Sequence, residues 1–355
     1  MLNVFAPINN LGYGVTGYNI TKNLFLRDVR TTLYPIGGIE PVGGMEEIIS
    51  AINNQINHIP ELPCLKIWHQ NDLFSRVGNG KFLGFPIFEL TEFNNKEKYS
   101  LKHCDEIITC SKWAKQIIID NNIGFTDDTV HVAPLGVDRE IFVELKYKTN
   151  RPTTIFLNSG KWEKRKGHDV LLECFNAAFE HDDNVELWMI PTNPFIGNLN
   201  NEWEKAYKTS KLGDKIRIIP RQESQIDIFK IMSQADCGVF PSRAEGWNLE
   251  LLEMMACGKN VIATNYSAHT EFCNDNNCRL VDINNLETAV DGVFFTGEGG
   301  LWAEIANEQK ESLIHHMRSV HSEKQQGVLK ENENGIKTSE KFSWDNCVNE
   351  IIKII

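Results

Sequence analysis

Two parallel-sheet α/β domains in tandem are the architecture this chain predicts. Three observations lead there: a length of 355 residues, an alternation of β-rich runs with helical patterns that occurs twice, and a charged stretch between the two series. A chain of that length exceeds one ordinary compact core and suits two. Hydrophobic residues make up 41%, as in soluble globular proteins. The alternation is the pattern left by parallel strands joined through crossover helices.

In the first half the β-rich runs are residues 3–7, 31–35, 64–69, 85–89, 106–111 and 131–134. In the second they are 153–158, 185–191, 216–220, 237–241, 260–264 and 278–281. Helical patterns lie between them, for example at 111–121 and 168–179. The stretch 144–152 is charged, has no apolar period and ends in Pro152, which makes it the expected linker. Residues 338–355 read as a closing helix with Trp344, Val348, Ile351 and Ile352 on one face. The expected domains are therefore 1–148 and 149–337, with 338–355 packing back on the first. Ligands are expected in the cleft between the carboxyl ends of the two sheets.

Composition excludes several classes. No apolar run approaches the roughly 18 residues that span a bilayer. The start, MLNVFAPINN, has neither a basic segment nor a long apolar one, so the chain reads as cytoplasmic and without a secretory leader. Nine cysteines without a Cys-x-x-Cys pair argue for reduced core thiols rather than a disulfide framework or a zinc site. The net charge is −12, with the acidic excess mostly in the second half. That argues against a nucleic-acid partner and gives no support to peripheral membrane contact.

Two segments carry the chemistry. The first is Ala244-Glu245-Gly246-Trp247-Asn248-Leu249-Glu250-Leu251-Leu252-Glu253, which follows a β-rich run and enters a helical pattern over 249–257, ending at Gly258. Backbone N–H groups of Gly246, Trp247, Asn248 and Leu249 would lie at a helix N-terminus, where unpaired donors and the dipole favour an anion. Glu245 precedes the helix and Glu253 lies one turn inside it, so one carboxylate can meet a sugar and the other ribose hydroxyls. The second segment is Gly160-Lys161-Trp162-Glu163-Lys164-Arg165-Lys166-Gly167, again between a β-rich run and a helix. Lys161 and Lys166 flank a tight loop and can neutralise a diphosphate, while Lys164 and Arg165 between them are expected to matter less if they point to solvent. Alone, this loop reads equally well as a solvated basic turn. A glycine-rich turn, Asn10-Leu11-Gly12-Tyr13-Gly14-Val15-Thr16-Gly17, follows the first run. It fits neither the dinucleotide fingerprint nor a P-loop, but Gly12 and Gly14 can close over phosphates.

The second half resembles the retaining GT-B glycosyltransferases of glycosyltransferase family 4, the glycosyl transferases group 1. Glu245 and Glu253 match that family's Glu-x(7)-Glu signature. The segment from Gly160-Lys161 to Lys166-Gly167 resembles its Gly-Arg…Lys-Gly loop, with Lys161 in place of Arg. The resemblance is specific in the second half and diffuse before Asp105. It implies two Rossmann-like domains, the first reading the acceptor and the second the nucleotide-sugar donor. It also implies transfer with retention, a hexosyl group as cargo, and a glycan, glycoconjugate or other hydroxyl as acceptor. Many members carry a His after the fourth strand of the first domain. Here that stretch reads Phe85-Pro86-Ile87-Phe88-Glu89, so Glu89 and His69 are the candidates for sugar or acceptor contacts.

Expelling a diphosphate requires something to stabilise its charge. No Asp-x-Asp pair is present to hold a metal, so cations and helix N-terminal amides are expected to do this without metal or cofactor. Glu245, Lys166 and Lys161 are the expected catalytic residues, and Gly12, Gly14, Gly160, Gly246, Trp247, Asn248, Leu249 and Glu253 the donor-binding ones. Two other readings stay open, an epimerase of the same fold and a nucleotide-sugar-binding module without turnover.

Overall fold

The computed structural model describes residues 1–144 and 151–355. Most of the expected linker at 144–152 lies outside the described residues. The chain divides into two compact units. The first comprises Met1–Asp138, Glu223–Gln225 and Lys341–Ile355, and the second Arg139–Gln222 and Ile226–Glu340.

In the first unit the chain runs β1 (Leu2–Ile8), α1 (Gly12–Leu26), β2 (Thr31–Ile39), α2 (Glu46–Asn53), β3 (Cys64–Ile67), β4 (Phe82–Phe85), α3 (Asn95–Leu101), β5 (Glu106–Thr109), α4 (Lys112–Asp120) and β6 (Val130–Val132). The sheet order is β2-β1-β3-β4-β5-β6 and every pairing is parallel. Strands β3 and β4 are buried along their whole length, because helices cover both faces of such a sheet. The run expected at 85–89 is displaced: the strand ends at Phe85, since Pro86 has no N–H to give the ladder.

The second unit continues with β7 (Thr154–Ser159), α5 (His168–Ala178), β8 (Val185–Ile190), α6 (Leu199–Lys208), β9 (Ile216–Ile218), α7 (Gln225–Met232), β10 (Cys237–Phe240), α8 (Leu249–Ala256), β11 (Asn260–Asn265), α9 (His269–Phe272) and β12 (Arg279–Asp282). Its sheet order is β12-β11-β10-β7-β8-β9, again parallel throughout. Phe156, Leu187, Met189 and Val239 of the sheet pack with Val170, Phe175 and Tyr207 of the covering helices. Burying each apolar side chain of this kind contributes about 1.5–3 kcal/mol. An antiparallel hairpin, β13 (Leu286–Val290) with β14 (Thr296–Ala303), then leads into α10 (Asn307–Gln325) and α11 (Glu333–Lys341). The sequence reading missed this hairpin, although Asp291-Gly292 at its turn is a hairpin signal.

The closing segment is two helices rather than one. Helix α11 stops at Lys341, and Ser343 caps α12 (Trp344–Ile354) by accepting from the Asn346 N–H at 3.1 Å. The buried face of α12 is Trp344, Cys347, Val348 and Ile351, while Ile352 is only half-buried. All nine cysteines are buried thiols. Among the described residues no helix is long and apolar enough to cross a membrane, and no cluster of His, Cys, Asp and Glu could hold a metal ion.

Candidate active site

In the second unit the strand order reverses between β7 and β10. Loops leaving the carboxyl ends of two such neighbours diverge and open a crevice. Both chemistry-bearing segments leave from here: β7 feeds residues 160–167 and β10 feeds 241–248. Gly167 adopts φ 72°, and a Cβ there would lie 2.0 Å from the Pro241 carbonyl oxygen. Only glycine allows the two loops to approach so closely. Arg243 locks them together: its N–H donates to Arg165 O at 2.6 Å, and its guanidinium donates to Lys164 O at 2.6 Å and forks onto Asp169 at 2.8 Å twice.

A charged network fills the junction. Glu245 is 4% exposed, Arg165 5%, Glu163 6% and Lys166 9%. Glu245 Oε1 accepts from Ser242 Oγ at 2.7 Å and lies 3.0 Å from Lys166 Nζ. Its Oε2 accepts from Arg165 Nη1 at 3.0 Å. Arg165 also donates to Glu163 Oε2 through Nε at 3.1 Å and Nη2 at 2.7 Å. Burial alone would raise the Glu245 pKa, but the Lys166 and Arg165 charges overcome it and hold the carboxyl below its ordinary range. Glu163 is lowered in the same way, by Arg165, Lys161 and Lys166. For Lys166, burial pulls the ammonium pKa down, and Glu245 and Glu250 more than restore it. Lys161 sits at the rim, 3.3 Å from Glu163 Oε1 and 5.2 Å above the Phe195 ring. Gly160 lies under the Lys166 stem, where a Cβ would come within 3.0 Å of Cδ.

Two histidines brace the loops. His168 is wholly buried, accepts the Glu163 N–H on Nδ1 at 3.1 Å and donates from Nε2 to Asn158 Oδ1 at 3.1 Å. Burial and the nearby Lys166 charge push its pKa down to about 4. His269 pairs through Nδ1 with Thr264 O at 2.9 Å and through Nε2 with Asn248 Nδ2 at 2.9 Å. Asn248 stands at φ 80° and accepts from the Leu251 N–H at 3.2 Å, capping α8. That cap leaves the Leu249 and Glu250 N–H groups without an intrahelical acceptor, as in any first turn.

Lys161, Lys166, Gly160 and Glu245 thus share one junction with the α8 N-terminus, where Gly246, Trp247, Asn248 and Leu249 form the approach. Trp247 is buried against Phe272 at 4.9 Å between ring centres. Glu253 is buried within α8, one turn beyond Glu250. The condition under which Arg165 would matter less, a side chain pointing to solvent, is not met: it is buried. The reason is Glu163, a lone acid among four cations, which gives the guanidinium a buried partner on its own loop. Glu163 was the available signal for this arrangement. Ser242 and His269 carried none.

The first unit assembles the remaining candidates at its own reversal point, between β1 and β3. Gly14 is required there, since a Cβ would lie 2.4 Å from Asn9 N and O, whereas one on Gly12 would meet nothing within 4 Å. Between them Tyr13 donates its hydroxyl to Ile87 O at 2.6 Å and accepts the Ile87 N–H at 2.9 Å. Its ring lies 4.5 Å from that of His69 and 5.6 Å from that of Trp68. Burial raises the Tyr13 pKa, and the Glu89 charge adds to the rise. The glycine-rich turn, His69 and Glu89 therefore converge within this unit.

Known proteins agree with this architecture. Residues 139–294 match the family model described as glycosyl transferases group 1. An uncharacterised glycosyltransferase of Methanocaldococcus jannaschii is 27% identical over 260 residues, 72% of this chain and 61% of that protein. Mannosylfructose-phosphate synthase of Agrobacterium fabrum is 22% identical over 50% of this chain and 42% of its own length. The chain thus aligns with less than two thirds of either relative. Among solved structures, a glycosyltransferase from Rickettsia africae superposes with a TM-score of 0.71 at 18% identity, covering 99% of this chain and 97% of the other. The Anabaena protein HepE, crystallised with UDP and glucose, gives 0.70 at 13% identity, covering 100% and 99%. Two six-stranded parallel sheets with flanking helices are therefore those of the GT-B glycosyltransferase fold, and within it residues 139–294 are similar to the glycosyl transferases group 1 family.

Proposed function

We propose that this chain is a retaining glycosyltransferase that moves a sugar, a hexosyl group in our reading, from a nucleoside-diphosphate donor to a hydroxyl of a glycan or glycoconjugate, without a metal. The observation that carries the reading is the Lys166 ammonium, buried 3.0 Å from Glu245 at the reversal point and near the first turn of α8. As the glycosidic bond breaks, negative charge accumulates on the leaving diphosphate. Lys166, Lys161 and the first-turn amides of α8 stabilise it, and they act strongly because they are fixed before the reaction begins. Glu245 keeps Lys166 charged and orients the donor sugar. Glu253 accepts the ribose hydroxyls. In the first unit Tyr13, His69 and Glu89 meet the acceptor. Retention follows if the acceptor attacks on the face the diphosphate leaves, with a phosphate oxygen taking its proton.

The test is calorimetric titration with UDP, GDP and ADP in EDTA, followed by turnover of the matching nucleotide sugars. One nucleoside diphosphate binds the wild-type chain in EDTA. Glu253→Gln weakens that binding by about 1.5–3 kcal/mol, the worth of a hydrogen bond to a charged group. Lys166→Ala lowers turnover by about 2.7–4 kcal/mol, more than it weakens binding. Absence of binding to all three nucleotides, or turnover in Lys166→Ala equal to wild type, refutes the proposal.

A further inference from the structure

We infer that Arg165 is a positioning residue for the transfer: its guanidinium bridges Glu163 and Glu245 and so fixes where Glu245 holds the Lys166 ammonium. The inference rests on the reading of Lys166 as the cation that meets the leaving diphosphate. One planar group bonds to Glu163 Oε2 twice, at 3.1 and 2.7 Å, to Glu245 Oε2 at 3.0 Å and to Ala244 O at 2.8 Å. Its own carbonyl accepts from the Arg243 N–H at 2.6 Å. The guanidinium therefore ties the loop that carries Lys166 to the segment that leads into α8. Arg165 and Lys166 take opposite oxygens of one carboxylate. A guanidinium can hold such a bridge because its five donors lie in a rigid plane, whereas an ammonium offers a point charge.

The consequence of removing it follows from the surroundings. Glu245 faces Lys166 and Arg165 from the β7–α5 loop, Ser242 from its own loop and His269 from α9, and Glu163 repels it. Glu250 of α8 acts on Lys166. Without Arg165, two buried carboxylates remain beside one buried ammonium, with Lys161 at the rim. Lys166 is then drawn between them and away from the place it holds now. Both carboxylates also take up protons at a higher pH, since the cation that favoured their ionised form has gone.

The test uses the full chain, with calorimetric binding of UDP, GDP and ADP and slow hydrolysis of UDP-glucose, GDP-mannose and ADP-glucose as probes. Arg165→Gln lowers turnover at saturating donor at least tenfold and changes the Kd of the diphosphate less than threefold. It also moves the acid limb of the turnover–pH profile upward by at least one unit. Arg165→Lys returns the acid limb to its wild-type position but leaves turnover low, because it restores the charge without the fork. If Arg165→Gln does not fold, Arg165→Lys is read alone: it keeps the charge, and its turnover at saturating donor stays at least tenfold below wild type while the Kd of the diphosphate changes less than threefold. Wild-type turnover in Arg165→Gln overturns the inference, as does full recovery of turnover in Arg165→Lys. A wild-type chain that binds none of the three diphosphates overturns the donor reading, and the inference with it. Normal binding with unaltered variants overturns the inference alone.

Discussion

Acidification from pH 7 to 4.5 is expected to loosen the second unit through His168. The imidazole is wholly buried, and its pKa falls from 6.5 to about 4 because burial and Lys166 disfavour the charged ring. In the unfolded chain the same ring protonates near its ordinary value. Between those two pH values the unfolded chain binds more protons, so stability rises with pH and is lost as pH falls from about 6.5 to about 4. At about 1.36 kcal/mol per unit, the whole shift amounts to about 3 kcal/mol, most of it gone by pH 4.5. Carboxylates titrate in the same range, so the measurement is a difference. His168→Gln keeps a donor toward Asn158 and an acceptor for the Glu163 N–H but does not titrate. Urea denaturation followed by tryptophan fluorescence suits both proteins, since the Trp162 ring lies 4.9 Å from that of His168. The stability advantage of wild type over His168→Gln should shrink by about 2–3 kcal/mol between pH 7 and 4.5. Parallel stability–pH curves would refute the reasoning. The loop that loosens is the one carrying Lys161 and Lys166.

The two glycines of the first turn should behave differently. Gly14→Ala forces a methyl against the Asn9 backbone and is expected to cost about 1–3 kcal/mol by thermal denaturation, whereas Gly12→Ala stays within about 0.5 kcal/mol of wild type. At the α8 cap, Asn248→Gly keeps the left-handed backbone and loses only side-chain bonds. Asn248→Ala adds about 1–2 kcal/mol of backbone strain, so the alanine variant melts lower, and the reverse order would discard the capping account.

Much of the fold was legible because parallel strands buried on both faces write continuous apolar runs, as in residues 154–159 and 64–67. The boundary errors have local causes. Pro86 ends a strand that its apolar neighbours suggested would continue, and Ser343 breaks a helix whose periodicity runs through it. Lys166, Glu245 and Asn248 could be singled out because they sit at strand-to-helix turns, where sequence and position coincide. Arg165 could not, since its burial depends on Glu245, 80 residues away, and on Ala244 O. Side chains bridging two loops leave no period in either one. His269 shows the same limit: its partners Asn248 and Thr264 belong to different elements, and only the folded sheet brings them together.

Helix α12 has a consequence for how the protein is made. It packs on α1, Arg27 at the end of that helix reaches Asp345 at 2.8 Å, and Lys81 reaches the Ile354 carbonyl at 3.2 Å. The first unit is therefore completed by residues translated after the whole of the second. At roughly 5–20 residues per second, a ribosome takes about 10–40 s to cover that distance. For that interval the α1 surface that α12 will cover stays open to other nascent chains and to chaperones. A ribosome stalled before residue 344 would therefore display a first unit that still lacks part of its covering.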